Sequence, residues 1–163
     1  MPAMLSSPPD HPGELIERIR AAAADRTPLR LQGGGTKAFL AEPAPGTLLS
    51  TTGYAGIISH EPSELVVTVK AGTPLAELES VLAAAGQSLA FEPPHFGPGA
   101  TVGGAVAAGL AGPARAAVGG ARDYVLGVRL INGRGELLTF GGQVMKNVAG
   151  YDVSRALAGS RGQ

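Results

Sequence analysis

A glycine-rich stretch from Phe96 to Gly109 limits what this chain can fold into more than any other segment. It reads Phe-Gly-Pro-Gly-Ala-Thr-Val-Gly-Gly-Ala-Val-Ala-Ala-Gly, so side chains are small at most positions. Thr101 is placed to cap a helix, and Gly103 and Gly104 leave its first turn bare. Because amides at a helix start attract anions, the stretch predicts a backbone site for an anion attached to a flat group.

A second glycine loop, Gln32-Gly-Gly-Gly-Thr-Lys37, follows a short apolar run. Two such loops in 163 residues predict one ligand held at two places. Neither loop fits the phosphate motif of ATPases, because no Ser or Thr follows Lys37. The dinucleotide fingerprint G-x-G-x-x-G also fails, because Val102 stands where its third glycine belongs. ATP hydrolysis and a Rossmann fold are therefore disfavoured.

Charge and cysteine content exclude several other functions. Thirteen basic and thirteen acidic residues cancel, and the basic ones form no block, which argues against nucleic acid as a partner. With no cysteine and three scattered histidines, the chain offers no disulfide and no ligand set for a metal. The N-terminus lacks the basic start and apolar core of a secretory signal, which predicts a cytoplasmic protein.

The hydrophobic pattern predicts an α+β fold with two lobes. Residues 1–12 are expected to be a disordered N-terminal segment, residues 13–90 the first lobe and residues 91–163 the second. Helices are predicted at 13–24, at 74–85 and after Thr101, and strands at 29–32, 47–51, 56–59, 65–70 and 87–91, followed by a hairpin of 124–131 and 136–140 turning at Asn132-Gly133.

Four motifs together resemble a known family. They are Arg30-Leu-Gln-Gly-Gly-Gly-Thr36, Gly97-Pro-Gly-Ala-Thr-Val-Gly-Gly104, Arg122-Asp-Tyr-Val-Leu-Gly127 and Lys146-Asn-Val-Ala-Gly-Tyr-Asp152. In this order they are similar to the FAD-binding domain of the p-cresol methylhydroxylase and vanillyl-alcohol oxidase (PCMH) type. Within that type the chain most resembles the FAD-binding E-subunit family of glycolate oxidases, over residues 13 to 159.

This resemblance implies two α+β lobes that enclose FAD, with both glycine loops on its diphosphate and small residues against the flavin. No histidine lies in the first loop, so the FAD is expected to be non-covalent; no catalytic residue can be assigned. Carried over by position, the cofactor-binding residues are Gly33, Gly34, Gly35, Thr36 and Lys37 in the first loop, Gly99, Ala100, Thr101, Gly103 and Gly104 in the second, then Gly109, Gly112, Gly119, Asp123, Lys146, Tyr151 and Asp152.

The resemblance also implies a function and a departure from the family. It implies an FAD-binding subunit of a flavin-dependent 2-hydroxy-acid (glycolate) oxidase or dehydrogenase complex. The other subunits would be a second flavin subunit and an iron–sulfur subunit, through which the complex could reach the inner membrane. Relatives run on into a small-residue turn, a closing strand and a cap domain. Gln163 stands inside that turn, so we expect an incomplete second lobe without closing strand or cap domain.

Two alternatives stay open. The chain could be a non-catalytic docking subunit of such a complex, or a flavoprotein similar to the UDP-N-acetylenolpyruvoylglucosamine reductase. Individual residues also have structural interpretations: glycine runs serve turns and close packing, and Asp152 can begin a helix. His95 in its Pro-rich turn is more often structural, and Arg115 and Arg122 are interpreted as surface or lobe-to-lobe residues without chemistry.

Overall fold

Helices and short strands alternate irregularly along the chain. The computed structural model describes residues 12–40, 42, 44–143 and 152–162, so Lys146, Tyr151 and residues 1–11 of the predicted disordered segment lie outside it. The helices are α1 (Pro12–Ala24), α2 (Leu75–Ala84), α3 (Val102–Ala108), α4 (Arg115–Val118) and α5 (Val153–Leu157). The strands are β1 (Leu29–Gln32), β2 (Thr47–Ser50), β3 (Ile57–Glu61), β4 (Val66–Val69), β5 (Gly127–Ile131) and β6 (Leu137–Gly141).

The described strands form three two-stranded sheets. β1 and β2 run parallel, with Leu29 opposite Thr47, whereas β3 pairs antiparallel with β4 and β5 with β6. Single-turn 3-10 helices occupy Ala38–Leu40, Pro62–Glu64 and Ala121–Asp123. The mixture of helices with parallel and antiparallel pairs confirms the predicted α+β class.

The core joins α2 to α3. Leu75, Leu78 and Leu82 follow the helical spacing of three to four residues and are buried. Leu75 clusters with Ala100 and Ala105, and its amide donates to the Ala100 carbonyl at 2.8 Å. The residues of this cluster come from both sides of residue 90. The division into lobes at 13–90 and 91–163 stays a prediction.

The predicted strand at 87–91 is wrong. A turn interrupts it, because the Glu92 amide donates to the Leu89 carbonyl at 3.0 Å. The Gln87 side chain donates to the Pro62 carbonyl at 2.8 Å, so a side chain rather than a sheet partner fixes this segment.

The predicted hairpin is confirmed, but its turn is longer than an Asn-Gly turn. The Asn132 amide donates to the Glu136 carbonyl at 3.1 Å, and the Asn132 side-chain oxygen accepts from the amides of Arg134 and Glu136. The left-handed residue is Gly135, with φ of +69°. The asparagine acts through its side chain rather than through its own backbone conformation.

The last described residues return to the end of α3. The amides of Gly159 and Arg161 each donate, at 2.9 Å, to the carbonyls of Val106 and Ala107 respectively. Gly109, which ends the helix with φ of +63°, lies so close that a β-carbon there would stand 2.7 Å from the Gly159 Cα. Only glycine fits this crossing of two backbones.

Candidate functional site

The two glycine loops touch each other. We call residues 33–37 the first loop and residues 97–101 the second loop. A β-carbon on Gly33 would lie 2.5 Å from the Thr101 hydroxyl oxygen, and one on Gly34 would overlap the Gly99 carbonyl oxygen. The two loops are therefore in close contact at Gly33 and Gly34, while their joint hold on one ligand stays a prediction.

The first loop carries a row of unused hydrogen-bond donors. Its five consecutive amides, residues 33–37, donate to no acceptor within the described part of the chain. In the second loop, the same holds for the amides of Gly97 and Gly99. Successive backbone N–H groups in a turn form a concavity suited to an anion. The joined loops thus offer backbone donors from both sides.

The prediction of unpaired amides at the start of α3 is wrong. The Val102 amide donates to the Thr73 carbonyl at 2.9 Å, and the Gly103 amide to the Ala71 carbonyl at 2.8 Å. The Gly104 amide donates to the Thr101 hydroxyl at 3.1 Å, the predicted cap. The segment after β4 passes across the helix start and consumes its donors. Contact of Gly103 and Gly104 with a ligand stays a prediction.

Lys37 supplies the positive charge beside the first loop. Its Nζ lies 3.5 Å from the His95 carbonyl and 5.9 Å from the centre of the Phe96 ring. No carboxylate in the described ranges pairs with it, and partial burial lowers the pKa of its ammonium group from the ordinary 10.5. The His95 ring instead pairs with the Glu79 carboxylate at 2.9 Å, consistent with a structural role.

A second group of predicted residues lines a cleft at the other end of α3. The cleft has a volume of about 340 Å³, and its lining includes Gly109, Gly119, Asp123, Arg115 and Arg122. Neither arginine forms an ion pair with a described residue, and the Asp123 carboxylate shares the lining with them. The seven-residue helix α3 separates this cleft from the loops by about 10 Å. Both arginines are exposed, which agrees with their interpretation as surface residues.

Two predicted residues serve other contacts. Gly112 packs on Glu92, where a β-carbon would lie 2.6 Å from the Glu92 Cβ. Asp152 begins α5: its Oδ1 accepts from the Arg155 amide and its Oδ2 lies 3.2 Å from the Arg155 Nε. Both carboxylate oxygens are thus engaged by the helix. Lys146 and Tyr151 lie outside the described residues, and the cofactor roles of all four stay predictions.

Comparison with known proteins identifies relatives. A family model described as "FAD binding domain" matches residues 8–154. The glycolate oxidase subunit GlcE of Escherichia coli is 52% identical over 153 residues, which cover 94% of this chain and 44% of that protein. A D-lactate dehydrogenase of Archaeoglobus fulgidus is 30% identical over 156 residues, covering 94% of this chain and 34% of that protein. The chain thus spans less than half the length of these relatives.

Solved structures support the fold. An alkyldihydroxyacetonephosphate synthase structure superposes with a TM-score of 0.72 at 22% identity, covering 94% of this chain and 28% of that one. At this identity the likeness concerns the fold alone, and that fold is the FAD-binding domain of the PCMH type.

Proposed function

The chain belongs to the FAD binding domain family, and from this premise we propose that its two glycine loops hold the FAD diphosphate within a flavin-dependent 2-hydroxy-acid oxidoreductase. The observation that carries the proposal is the contact of the two loops beside a row of unused amides.

The described residues fit a diphosphate. Phosphate oxygens accept hydrogen bonds only, and the five amides of the first loop are donors without a protein acceptor in the described part. Lys37 adds a positive charge from the same loop, partly removed from water, where attraction to an anion is stronger than in bulk solvent. The exposed faces of Gly34 and Gly35 leave the loop backbone accessible. These residues would hold the group mainly through backbone, with one ion pair.

The flavin and the protein have separate roles in this proposal. When bound, the flavin supplies the redox chemistry, since it accepts a hydride that no protein side chain can accept. The chain contributes binding and orientation: the first loop fixes the phosphates, and the cleft at Gly109 and Gly119 offers room and positive charge farther along α3. No described side chain is assigned as the base.

The names of the relatives support a substrate class. Glycolate and lactate are both 2-hydroxy acids, and GlcE is named as a subunit. We propose that this chain serves a glycolate oxidase complex with a second flavin subunit and an iron–sulfur subunit. These 163 residues include no cysteine, so they supply no thiolate ligand to such a cluster. None of its described helices is long or apolar enough to cross a membrane.

The test of the proposed function is FAD binding by the 163-residue chain. We expect the purified protein to quench added FAD fluorescence in a saturable titration, and to release intact FAD on acid treatment. Gly133→Ala is a control variant that should bind FAD as the wild type does, because a β-carbon there meets no atom within 4 Å. A chain with the expected circular dichroism that binds no FAD would refute the proposal.

Lys37→Met tests the charge beside the loop. We expect FAD affinity to fall about tenfold, the loss of one charge-assisted contact. Because burial lowers the pKa of Lys37, the native state binds fewer protons than the unfolded state between the lowered value and 10.5, so this residue makes stability rise with pH across that window. Calorimetric titration should show a lower FAD affinity in the variant. Thermal melts from pH 7 to 10.5 should show that its stability rises less steeply with pH than that of the wild type. Unchanged affinity would remove Lys37 from the site.

A docking subunit without cofactor is the second candidate. Leu31, Phe39 and Phe96 are each more than half exposed, an apolar surface of the kind that binds partners. A folded chain that ignores FAD but co-purifies with a longer flavin subunit would favour this candidate.

A further inference from the structure

Two phenylalanines stand exposed at the junction of the glycine loops. Phe39 and Phe96 pack edge to face, with ring centres 5.0 Å apart and planes inclined by 73°. They nevertheless expose 65% and 55% of their surface. Two of the four phenylalanines of the chain are thus left largely in water beside the site.

Both rings are attached to the loops that touch. Phe39 lies in the 3-10 helix that directly follows Lys37, and Phe96 directly precedes Gly97. Phe96 has a left-handed backbone, with φ of +55°, which is unfavourable for a bulky residue. The turn therefore holds the Phe96 ring out of the core at a cost in backbone energy.

The order of groups matches a nucleotide. Phosphate donors occupy 33–37, the Lys37 ammonium lies 5.9 Å from the Phe96 ring centre, and the aromatic pair comes next. A nucleotide presents its phosphates and its flat ring in the same sequence, separated by a short polyol or sugar. Aromatic side chains stack on flat heteroaromatic rings.

We propose that Phe39 and Phe96 form an aromatic platform that stacks one flat heteroaromatic ring of the bound dinucleotide. The inference rests on the proposed function, since it needs the phosphates on the loops. The shared chemistry is a planar, π-rich ring. Adenine and isoalloxazine both have it, and fragments of FAD distinguish them.

The experiment compares wild type, the double variant Phe39→Leu/Phe96→Leu and the double variant Phe39→Tyr/Phe96→Tyr. Leucine keeps an apolar side chain and, like phenylalanine, is unfavourable in the left-handed conformation of residue 96. Tyrosine keeps the aromatic ring. Each protein is titrated calorimetrically with FAD, FMN and ADP, and its oligomeric state is measured by gel filtration. Ile58→Ala is the control for removing an exposed apolar side chain elsewhere, since Ile58 is 55% exposed.

We expect the leucine variant to bind FAD about tenfold more weakly and the tyrosine variant to stay within about twofold of wild type. The leucine variant should also bind one of the two fragments more weakly. That fragment is FMN if isoalloxazine is stacked, and ADP if adenine is stacked. Unchanged FAD affinity in the leucine variant would overturn the platform, and a simultaneous change in oligomeric state would assign the rings to a protein contact. Equal weakening of both fragments would show general loop distortion and would also overturn it. A wild-type chain that binds no probe would refute the proposed function itself.

Discussion

Replacing Gly34 by alanine should weaken FAD binding by about 10- to 100-fold. The new β-carbon would overlap the Gly99 carbonyl oxygen, which belongs to the backbone and cannot rotate away. The two loops must then separate, and donors that converge on one ligand no longer do so. Alanine keeps the amide, so the loss comes from displacement rather than from a missing donor. Calorimetric titration with FAD measures the effect.

The control for this variant is Gly133→Ala, which makes the same chemical change where space is open. It should leave affinity and melting temperature within error of wild type. A melt of Gly34→Ala shows whether the fold survives, with an expected cost of roughly 1–3 kcal/mol for the overpacking. Wild-type affinity in Gly34→Ala would mean that the loops need not touch to bind FAD.

Replacing Leu75 by alanine should cost about 2–5 kcal/mol of unfolding free energy. Its side chain is fully buried, and it packs against Ala100 and Ala105, residues too small to fill the space that it leaves. Since Ala100 lies in the second loop, we also expect weaker FAD binding in the folded fraction. Urea unfolding followed by circular dichroism gives the free energy.

The comparison for Leu75→Ala is Ile58→Ala, which removes a similar volume from a side chain that is 55% exposed. That control should lose less than about 1 kcal/mol, because little apolar surface returns to water. Equal losses in the two variants would show that the cluster between α2 and α3 is not the core of this chain.

Local pattern was sufficient for the elements whose residues interact with near neighbours. The apolar spacing of Leu75, Leu78 and Leu82 predicts α2, and the valine-rich run predicts β4. Thr101 caps α3 as expected, since this bond spans only three residues. The predicted strand at 87–91 is wrong because the Gln87 side chain bonds to the distant Pro62 carbonyl, a contact that local pattern does not reveal.

Long-range contacts account for what the sequence did not reveal. The donors of α3 are consumed by Ala71 and Thr73, and no motif signals that this segment crosses the helix start. The Phe39–Phe96 pair likewise depends on the approach of two distant loops.

The glycines are needed for close packing, and a sequence motif cannot distinguish this role from ligand binding. Gly34 was predicted as a ligand contact, yet its bareness is already required by Gly99. Gly103 is required by Ala71 in the same way, with a β-carbon only 2.7 Å from the Ala71 Cβ. Close packing and cofactor binding thus select the same residue, and only measurements with FAD distinguish them.

The return of Gly159 and Arg161 to the end of α3 has a consequence for biosynthesis. The carbonyls of Val106 and Ala107 emerge from the ribosome before α4, β5, β6 and α5 have been made. The amides that donate to them come only after all of these elements. The end of α3 therefore stays unclamped while α4, β5, β6 and α5 are being made. This clamp joins residues that are far apart in the sequence, and such contacts close after local ones during folding.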